Sequence, residues 1–522
     1  MFLLNILVFI LVLGVIILIH ELGHFYFAKK AKILCHEFSI GMGPVIYQKR
    51  KGETVYSIRG IPIGGYVSMA GESVSDALIK KDMVIGVKLN SQGLVTHINM
   101  VEAQENDYVG MIKAYDLYGK DFNPLFIDLE VNGEVKHLSV ARDAIYVLGQ
   151  KKQMWITPSE KSFESKTLWQ RFLVIFAGPL MNFILALVLY LIVGLFVLKP
   201  NLDSSELSYV APESPAFALG LEVGDVITSI NGQSVTSWDD LSVIMASLES
   251  PIVTVAYQRG NQNFEQTTVA AVIVQSAGIS NVSEDGTRYS DDPIIGRIFG
   301  RADTDSSLEV GDEITHIIYN GISYTINTWD DIVNFFIANN AGSVTIRYQR
   351  DTETIETTYK LISASALDRL GYSNLIFQLG ISPTSSRDLG YSLMYPLRSF
   401  SSDVMQVVNT IGLLADPNED LGLGDLSGPI GIFSLVSQTT SQGLLSILSF
   451  TAFLSINIGL LNLLPIPALD GGRLVFLGIE AVTRKPLNRK VENTINNVMF
   501  FLLIGLFIFV AYNDIMRLIL GS

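Results

Sequence analysis

Charge is what this 522-residue sequence has least of: Asp, Glu, Lys and Arg make up 17% of it, against about 25% in an ordinary soluble chain. With a mean hydropathy of +0.37, that shortage excludes a wholly soluble protein and assigns a substantial part of the chain to lipid. Cysteine is nearly absent. The single Cys35 rules out an internal disulfide framework and reads as a small buried residue. Lysine is missing between Lys199 and Lys360. Of the six histidines, His36, His97, His137 and His316 show no metal-ligand spacing.

What is present is a set of long apolar runs. Phe2 to Ile19 is uncharged, Phe172 to Leu198 is apolar apart from Asn182, Leu444 to Pro467 is broken only by a few Ser, Thr and Asn, and Val498 to Tyr512 is apolar throughout. A bilayer core of about 30 Å takes about 20 helical residues, so four spans are expected, the last the shortest. The first run lacks a basic leader and a small-residue cleavage pattern, and is expected to be retained.

The net charge of −15 is uneven. Residues 201–385 hold 24 acidic and 8 basic residues, a balance of −16, so the rest of the chain sums to +1. By contrast Lys29, Lys30, Lys32, Lys49, Arg50 and Lys51 follow the first run, and Arg473, Arg484, Lys485, Arg489 and Lys490 separate the last two. Basic residues at span ends mark the cytoplasmic side. The expectation is a multi-pass protein of the cell membrane with both termini and the acidic region outside.

That acidic region contains a repeat. Leu221-Glu222-Val223-Gly224-Asp225, Asn231-Gly232, Trp238-Asp239-Asp240 and Tyr257-Gln258-Arg259 recur as Leu308-Glu309-Val310-Gly311-Asp312, Asn320-Gly321, Trp329-Asp330-Asp331 and Tyr348-Gln349-Arg350. The offset of 87 to 91 residues makes each copy a small domain. Each resembles a PDZ domain in its bacterial protease-associated arrangement, which implies peptide termini as ligands by strand addition, or else a steric filter. Residues 73–165 read as alternating strands, with a hairpin over Asp128 to Lys136 turned by Asn132-Gly133, and show no chemistry. Residues 386–414 read as an amphipathic helix lying on the outer membrane surface.

The chemistry is concentrated where the first run ends. His20-Glu21-Leu22-Gly23-His24 has the H-E-x-x-H pattern. Residues four apart share a helix face, so His20 and His24 can address one metal, with Glu21 about 100° round the helix as proton acceptor. Ionisable groups at the end of a membrane span are costly and usually functional. A catalytic zinc also takes a third protein ligand. Asp470, in Asn462-Leu463-Leu464-Pro465-Ile466-Pro467-Ala468-Leu469-Asp470-Gly471-Gly472, is the candidate, placed at the cytoplasmic end of the third span; alone it could be a turn residue before Gly-Gly. Asn182 lies mid-span, where an amide bonds to a neighbouring helix or joins substrate handling.

These motifs together resemble the site-2 protease family of intramembrane metalloproteases, and within it the bacterial regulator-of-sigma protease group. The match extends to Ile58 through Val67, to Ala177-Gly178-Pro179-Leu180-Met181-Asn182-Phe183 and to Ser427-Gly428-Pro429-Ile430-Gly431, so it covers most of the chain. The resemblance implies zinc held by His20, His24 and Asp470, with Glu21 as general base. It implies that Asn457 and Asn462 hold the substrate strand or the developing oxyanion. It implies a re-entrant β-hairpin turned by Gly64-Gly65, whose edge near Tyr66 and Val67 pairs with unwound substrate. The expected substrates are single-span membrane proteins, anti-sigma factors or remnant signal peptides cut after their outer domains are shed. Membrane lipids are expected as neighbours, and nucleic acid is not.

The expected architecture is a polytopic α-helical membrane protein with four transmembrane helices, a membrane-re-entrant β-hairpin and two external PDZ-like α/β domains. It divides into 1–30 (first helix), 31–72 (hairpin), 73–168 (cytoplasmic insert), 169–199 (second helix), 200–275 and 276–365 (PDZ-like domains). Then come 366–440 (linker with surface helix), 441–472 (third segment) and 473–522 (cytoplasmic loop and fourth helix). The competing readings are a non-catalytic PDZ membrane adaptor, which the intact ligand and base set opposes, and a metal transporter, which lacks the expected inverted repeats.

Overall fold

In the computed structural model, which describes residues 2–71, 78–100, 105–149, 153–282, 291–302, 306–417, 422, 426 and 428–520, four helices are long and apolar enough to cross a membrane: Phe2–Lys30, Leu168–Gly194, Leu444–Leu463 and Lys490–Met516. The first, α1 (Phe2–Lys30), buries Val12, Ile16, His20, Gly23, His24 and Ala28. Five of these six are spaced by four, so they form one stripe along the helix. Phe2, Leu3, Leu7 and Leu11 are exposed. A helix apolar all round with one protein-facing stripe belongs in lipid, and here that stripe carries both histidines.

Two long strands follow, β1 (Cys35–Lys51) and β2 (Thr54–Met69). The chain reverses at Gly52-Glu53, where Lys51 pairs with Thr54 and Gly52 has φ of +62°. The expectation that Gly64-Gly65 turn the hairpin is therefore corrected. Both glycines lie inside β2, and Gly65 pairs with Ile40. Each strand bends near its middle, so Glu37 to Ile40 are paired twice: with Val55 to Ile58 on one side and with Gly65 to Ser68 on the other. The run Gly65 to Met69 is paired only along that second side, which leaves it an open edge among the described residues.

Residues 84–155 build a small barrel. Strands β3 (Val84–Leu89), β4 (Val95–Asn99), β5 (Tyr108–Asp116), β6 (Phe126–Val131) and β7 (Glu134–Val147) close into a ring through the parallel pairing of β4 with β7, and β8 (Gln153–Trp155) adds to β7. Ile85, Val87, Ile98, Ile112, Ile127 and Leu129 fill it. Asn132 (φ 53°) and Gly133 (φ 85°) turn β6 into β7, as the Asn-Gly signal implied. The chain then enters α2 (Leu168–Gly194).

In the acidic region, the first repeat contributes β9 (Leu207–Val210), β10 (Val226–Ile230), β11 (Gln233–Ser234), α3 (Trp238–Ala246), β12 (Ile252–Arg259) and β13 (Gln262–Val269). After β14 (Ala271–Val274), the second contributes β15 (Glu313–Tyr319), β16 (Ile322–Thr325), α4 (Trp329–Ala338), β17 (Ser343–Arg350) and β18 (Glu353–Lys360). Each has a four-stranded sheet of the same order. Both helices open on a capping box, Ser237 with Asp240 and Thr328 with Asp331.

The distant Asp and Arg of each repeat meet as a two-pronged ion pair. Arg259 reaches both oxygens of Asp225 at 2.8 Å, and Arg350 reaches those of Asp312 at 2.8 and 2.9 Å. The first repeat does not end at residue 275. Its β9 pairs with β20 (Ile381–Pro383), and β14 pairs with β19 (Leu375–Gln378), both from beyond the second copy. The second repeat is thus inserted into the first, and the tandem boundaries 200–275 and 276–365 are replaced by a nested arrangement.

The expected surface helix is α5 (Leu389–Leu414), with Leu389, Leu393, Leu397, Met405 and Val408 exposed. It is followed by α6 (Pro429–Ser441), α7 (Leu444–Leu463), α8 (Asp470–Thr483) and α9 (Arg489–Leu520). Of the Ser-Gly-Pro-Ile-Gly motif that opens α6, Ser427 lies outside the described residues. The chain forms two compact units, Met1–Leu189 with Leu435–Gly505, and Tyr190–Ser434 with Leu506–Ser522.

Candidate metal centre

Three side chains converge in the first unit. His20 Nε2 lies 3.2 Å from Asp470 Oδ2, His24 Nε2 lies 3.3 Å from the same oxygen, and the two Nε2 atoms are 3.2 Å apart. A tetrahedral zinc with bonds of about 2.0–2.1 Å holds its donors about 3.3–3.4 Å from one another, so the triangle fits three corners of such a site. Asp470 Oδ2 is buried without a hydrogen-bond donor, as a lone pair reserved for a cation would be. Among the described residues this is the one group of His, Cys, Asp or Glu side chains arranged to hold a metal ion.

A backbone carbonyl fixes the tautomer of His24, and an amide adjoins His20. His24 donates Nδ1–H to the carbonyl of Val174 on α2, at 2.8 Å, which leaves its Nε2 unprotonated for metal. The Asn182 amide, also on α2, lies 3.2 Å from His20 Nδ1. The Asn182 backbone carbonyl accepts from Ser455 on α7 at 2.8 Å. Asn182 is thus both the amide expected to bond to a neighbouring helix and a direct contact to His20, which its sequence context did not reveal.

Glycines make room for the centre. A Cβ on Gly23 would stand 2.3 Å from the Ala177 carbonyl, so α1 and α2 meet there almost backbone to backbone. A Cβ on Gly178 would stand 2.3 Å from His24 Nε2 and 2.8 Å from His20 Nε2, too close to either ring for a side chain. The role of Gly178 was not legible in sequence, where it was only part of a shared motif.

Asp470 was expected at the end of the third span, and the structure places it differently. Helix α7 stops at Leu463, Pro465 and Pro467 keep it from continuing, and Asp470 opens α8 after a tight turn. Gly471 and Gly472 permit that turn, because a Cβ on either would come within 2.1 to 2.4 Å of the Leu464 or Ile466 carbonyl. The Ala468 N–H is held by Asn496 Oδ1 at 3.1 Å. A carboxylate at a helix N-terminus is also favoured by the local dipole.

The remaining expected residues divide. Glu21 is half-buried on α1 and adjoins β2: a Cβ on Gly65 would lie 3.1 Å from Glu21 Cγ and 2.9 Å from the Ser39 carbonyl. Glycine is required in β2 because the strand passes so close to Glu21. Val67 is buried in the cluster beneath the hairpin with Phe38 and Val174. The Tyr66 hydroxyl donates to Glu37 at 2.7 Å and accepts from Arg59 at 2.6 Å. Its side chain therefore braces the hairpin, and only its backbone is free for other work. Asn457 donates to Phe453 on its own helix at 2.9 Å. Among the described residues neither Asn457 nor Asn462 bonds to the triad.

In the second unit a groove of about 510 Å³ lies between α3 and the strands β19 and β20, lined by Trp238, Leu241, Met245, Phe377 and Leu379.

Known proteins resemble this chain over nearly its whole length. The family model described as Peptidase family M50 matches residues 8–506. A putative zinc metalloprotease of Staphylococcus aureus is 30% identical over 99% of both chains. The zinc metalloprotease RasP of Shouchella clausii is 31% identical over 98% of this chain and 99% of its own. The regulator of sigma-W protease RasP of Bacillus subtilis is 29% identical over the full length of both. A PDZ domain of an SdrC-like protein from Listeria monocytogenes aligns with 17% of this chain and 85% of its own at 23% identity, with a TM-score of 0.13, too low to bear on the fold.

Proposed function

The chain belongs to peptidase family M50, and on that footing we propose that this zinc metalloprotease works inside the membrane, cutting the spanning segments of single-span substrates. Anti-sigma factors and remnant signal peptides, cut after another enzyme has shed their outer domains, are the substrate class. The observation that carries the reading is placement: the stripe that α1 buries along an apolar span is the stripe that bears His20 and His24.

His20, His24 and Asp470 are the residues that would hold zinc. Bound there, zinc supplies the Lewis acidity that lets water attack a peptide carbonyl near neutral pH. Glu21 takes the proton of the attacking water and delivers it to the departing amide nitrogen. Asn457 keeps one amide proton after its bond to Phe453, and with Asn462 it holds the substrate chain or steadies the negative charge growing on the carbonyl oxygen.

A helical substrate has its amides hydrogen-bonded and must unwind before cleavage. The open edge of β2 from Gly65 to Met69 offers replacement backbone partners next to Glu21. Irregular backbone at membrane depth is tolerated when protein shields it, which suits a re-entrant hairpin packed on α1. In this reading the basic loops face the cytoplasm, and both termini and the paired PDZ-like repeats lie outside. The α3–β19 groove receives an extended peptide terminus, and the exposed apolar stripe of α5 rests on lipid.

The test compares purified wild type with Glu21→Gln on a tagged single-span substrate, with and without a chelator. Wild-type cleavage lost with chelator and restored by zinc, and at least about 10²-fold slower in the variant, is the expected result. Equal cleavage by the variant would remove Glu21 from the mechanism.

A further inference from the structure

A cavity of about 1020 Å³ lies in the first unit, apart from the His20–His24–Asp470 group. That volume is at the upper end of what small-molecule sites occupy. Its walls come from the end of α1, the β5–β6 connection, the segment leading into α2, and the facing parts of α8 and α9. Two of its lining residues tie it to the metal centre. Ile175 follows Val174, whose carbonyl orients His24. Arg473 lies three residues past Asp470 on α8, a rise of about 4.5 Å. Ile175 and Arg473 thus put part of the cavity wall on the two helices that hold the Val174 carbonyl and Asp470.

Its charges are arranged asymmetrically. Arg171 is paired with Glu480 at 2.5 Å, and Glu160 with Arg142 at 2.6 Å, so those carboxylates are already engaged. Lys30, Lys32, Lys120 and Lys166 line the cavity, and none forms an ion pair among the described residues. Lys166 is held below the usual lysine range, chiefly by burial and further by the nearby Lys32 ammonium, although Glu160 opposes the shift. Two ammonium groups that repel across a cavity wall gain from an anion placed between them. Asp121, Glu164 and Glu492 also line the cavity, Glu492 from α9, three carboxylates against the four lysines.

We propose that this cavity receives the cytoplasmic flank of the substrate next to the scissile segment, and that Lys32 and Lys166, with Lys30 and Lys120, select acidic side chains there. The proposal rests on the protease reading and specifies its substrates: single-span proteins with Asp or Glu just beyond the span. A lipid headgroup would satisfy the same lysines. The substrate is favoured because the cavity shares its walls with the helices that carry Asp470 and orient His24.

The test uses the purified full-length protein in nanodiscs and three substrates that differ only in an acidic, neutral or basic cytoplasmic flank. Wild type should prefer the acidic flank over the basic one by at least about fivefold in kcat/KM, equivalent to about 1 kcal/mol. The preference should shrink as salt is raised, weaken in Lys32→Gln/Lys166→Gln and invert in Lys32→Glu/Lys166→Glu. Equal rates for all three flanks, or a parallel loss on all three in the variants, would overturn the proposal and leave the protease reading intact. Rates that follow the anionic lipid content whatever the flank would assign the lysines to lipid and also overturn it. Failure to cut any of the three, with zinc present, would sink the protease reading and this proposal with it.

Discussion

Asn182 holds its side-chain amide 3.2 Å from Nδ1 of His20, and its Oδ1 is buried with no partner of its own. For His20 to offer Nε2 to a metal, Nδ1 must carry the proton and needs an acceptor. Turning Oδ1 toward the ring satisfies both atoms at once. Ordering that amide is a task for two spans, because Ser455 of α7 clasps the Asn182 backbone at 2.8 Å.

Asn182→Leu should therefore weaken zinc binding by about 10- to 100-fold, the usual effect of removing a partner of a metal-bound histidine. Asn182→Asp, which keeps the acceptor, should lose less. Equilibrium dialysis of the purified protein against zinc buffers reads this without reference to cleavage. Unchanged affinity in the leucine variant would reduce Asn182 to a helix-packing residue.

Gly178→Ala gives a sharper result. The new methyl would stand 2.3 Å from His24 Nε2 and 2.8 Å from His20 Nε2, and a retreat of α2 to admit it would open the close packing of Gly23 on the Ala177 carbonyl. Zinc content should fall to background. Gly14, also on α1, has nothing within 4 Å of its Cβ position, so Gly14→Ala should keep its zinc and gain slightly in helix propensity. Zinc analysis of both purified variants checks the contrast.

Much of this architecture is legible in the sequence. A span can be read from composition because it needs only length and apolarity, and two histidines four apart declare a shared face through helix geometry. The sequence places Asp470 at the end of the third span, and the structure places it beside His20 and His24 at the start of α8, because only the folded turn shows that Pro465 and Pro467 end α7 and that a new helix begins. Gly64-Gly65 misled for a related reason. Paired glycines signal a turn, but Gly65 is a glycine because Glu21 and the Ser39 carbonyl crowd its Cβ, and the reversal is made at Gly52. The insertion of one repeat into the other was hidden because β19 and β20 lie beyond the second copy and carry none of the repeat's motif.

Acid should loosen the first repeat through Asp225. Burial pushes its carboxyl up, but the Arg259 guanidinium and the Glu222 amide more than offset that and hold it below the usual carboxylate range. A depressed folded value stabilises fully above the unfolded value of about 3.9, and that stabilisation is lost as pH falls through the folded value. Thermal unfolding of the full-length protein, followed by tryptophan fluorescence, should show a midpoint that drops below about pH 4. Asp225→Asn should flatten that slope. Arg259→Met should lower the neutral-pH midpoint and remove most of the pH dependence, because Asp225 would lose the guanidinium that holds its carboxyl down. A wild-type midpoint that ignores pH would contradict the assignment.

The Gly-Pro-Ile-Gly motif at the start of α6 has a structural partner in Asp514 of α9. Asp514 is 6% exposed, and its carboxylate accepts from the backbone of Gly428 at 3.2 Å and of Gly431 at 2.9 Å. A Cβ on Gly428 would come within 2.7 Å of that carboxylate, so the glycine is there to admit it. The carboxylate thus caps a helix from a distant part of the chain, satisfying amide groups that α6 cannot satisfy internally. Asp514→Ala leaves two amides without their acceptor and should lower stability by about 1–3 kcal/mol. Gly428→Ala should give a similar loss by expelling the carboxylate. If the two act through one contact, the double variant should lose no more than the worse single one. Midpoints of denaturant unfolding for the four proteins decide it, and additive losses would mean that Gly428 and Asp514 stabilise the fold independently.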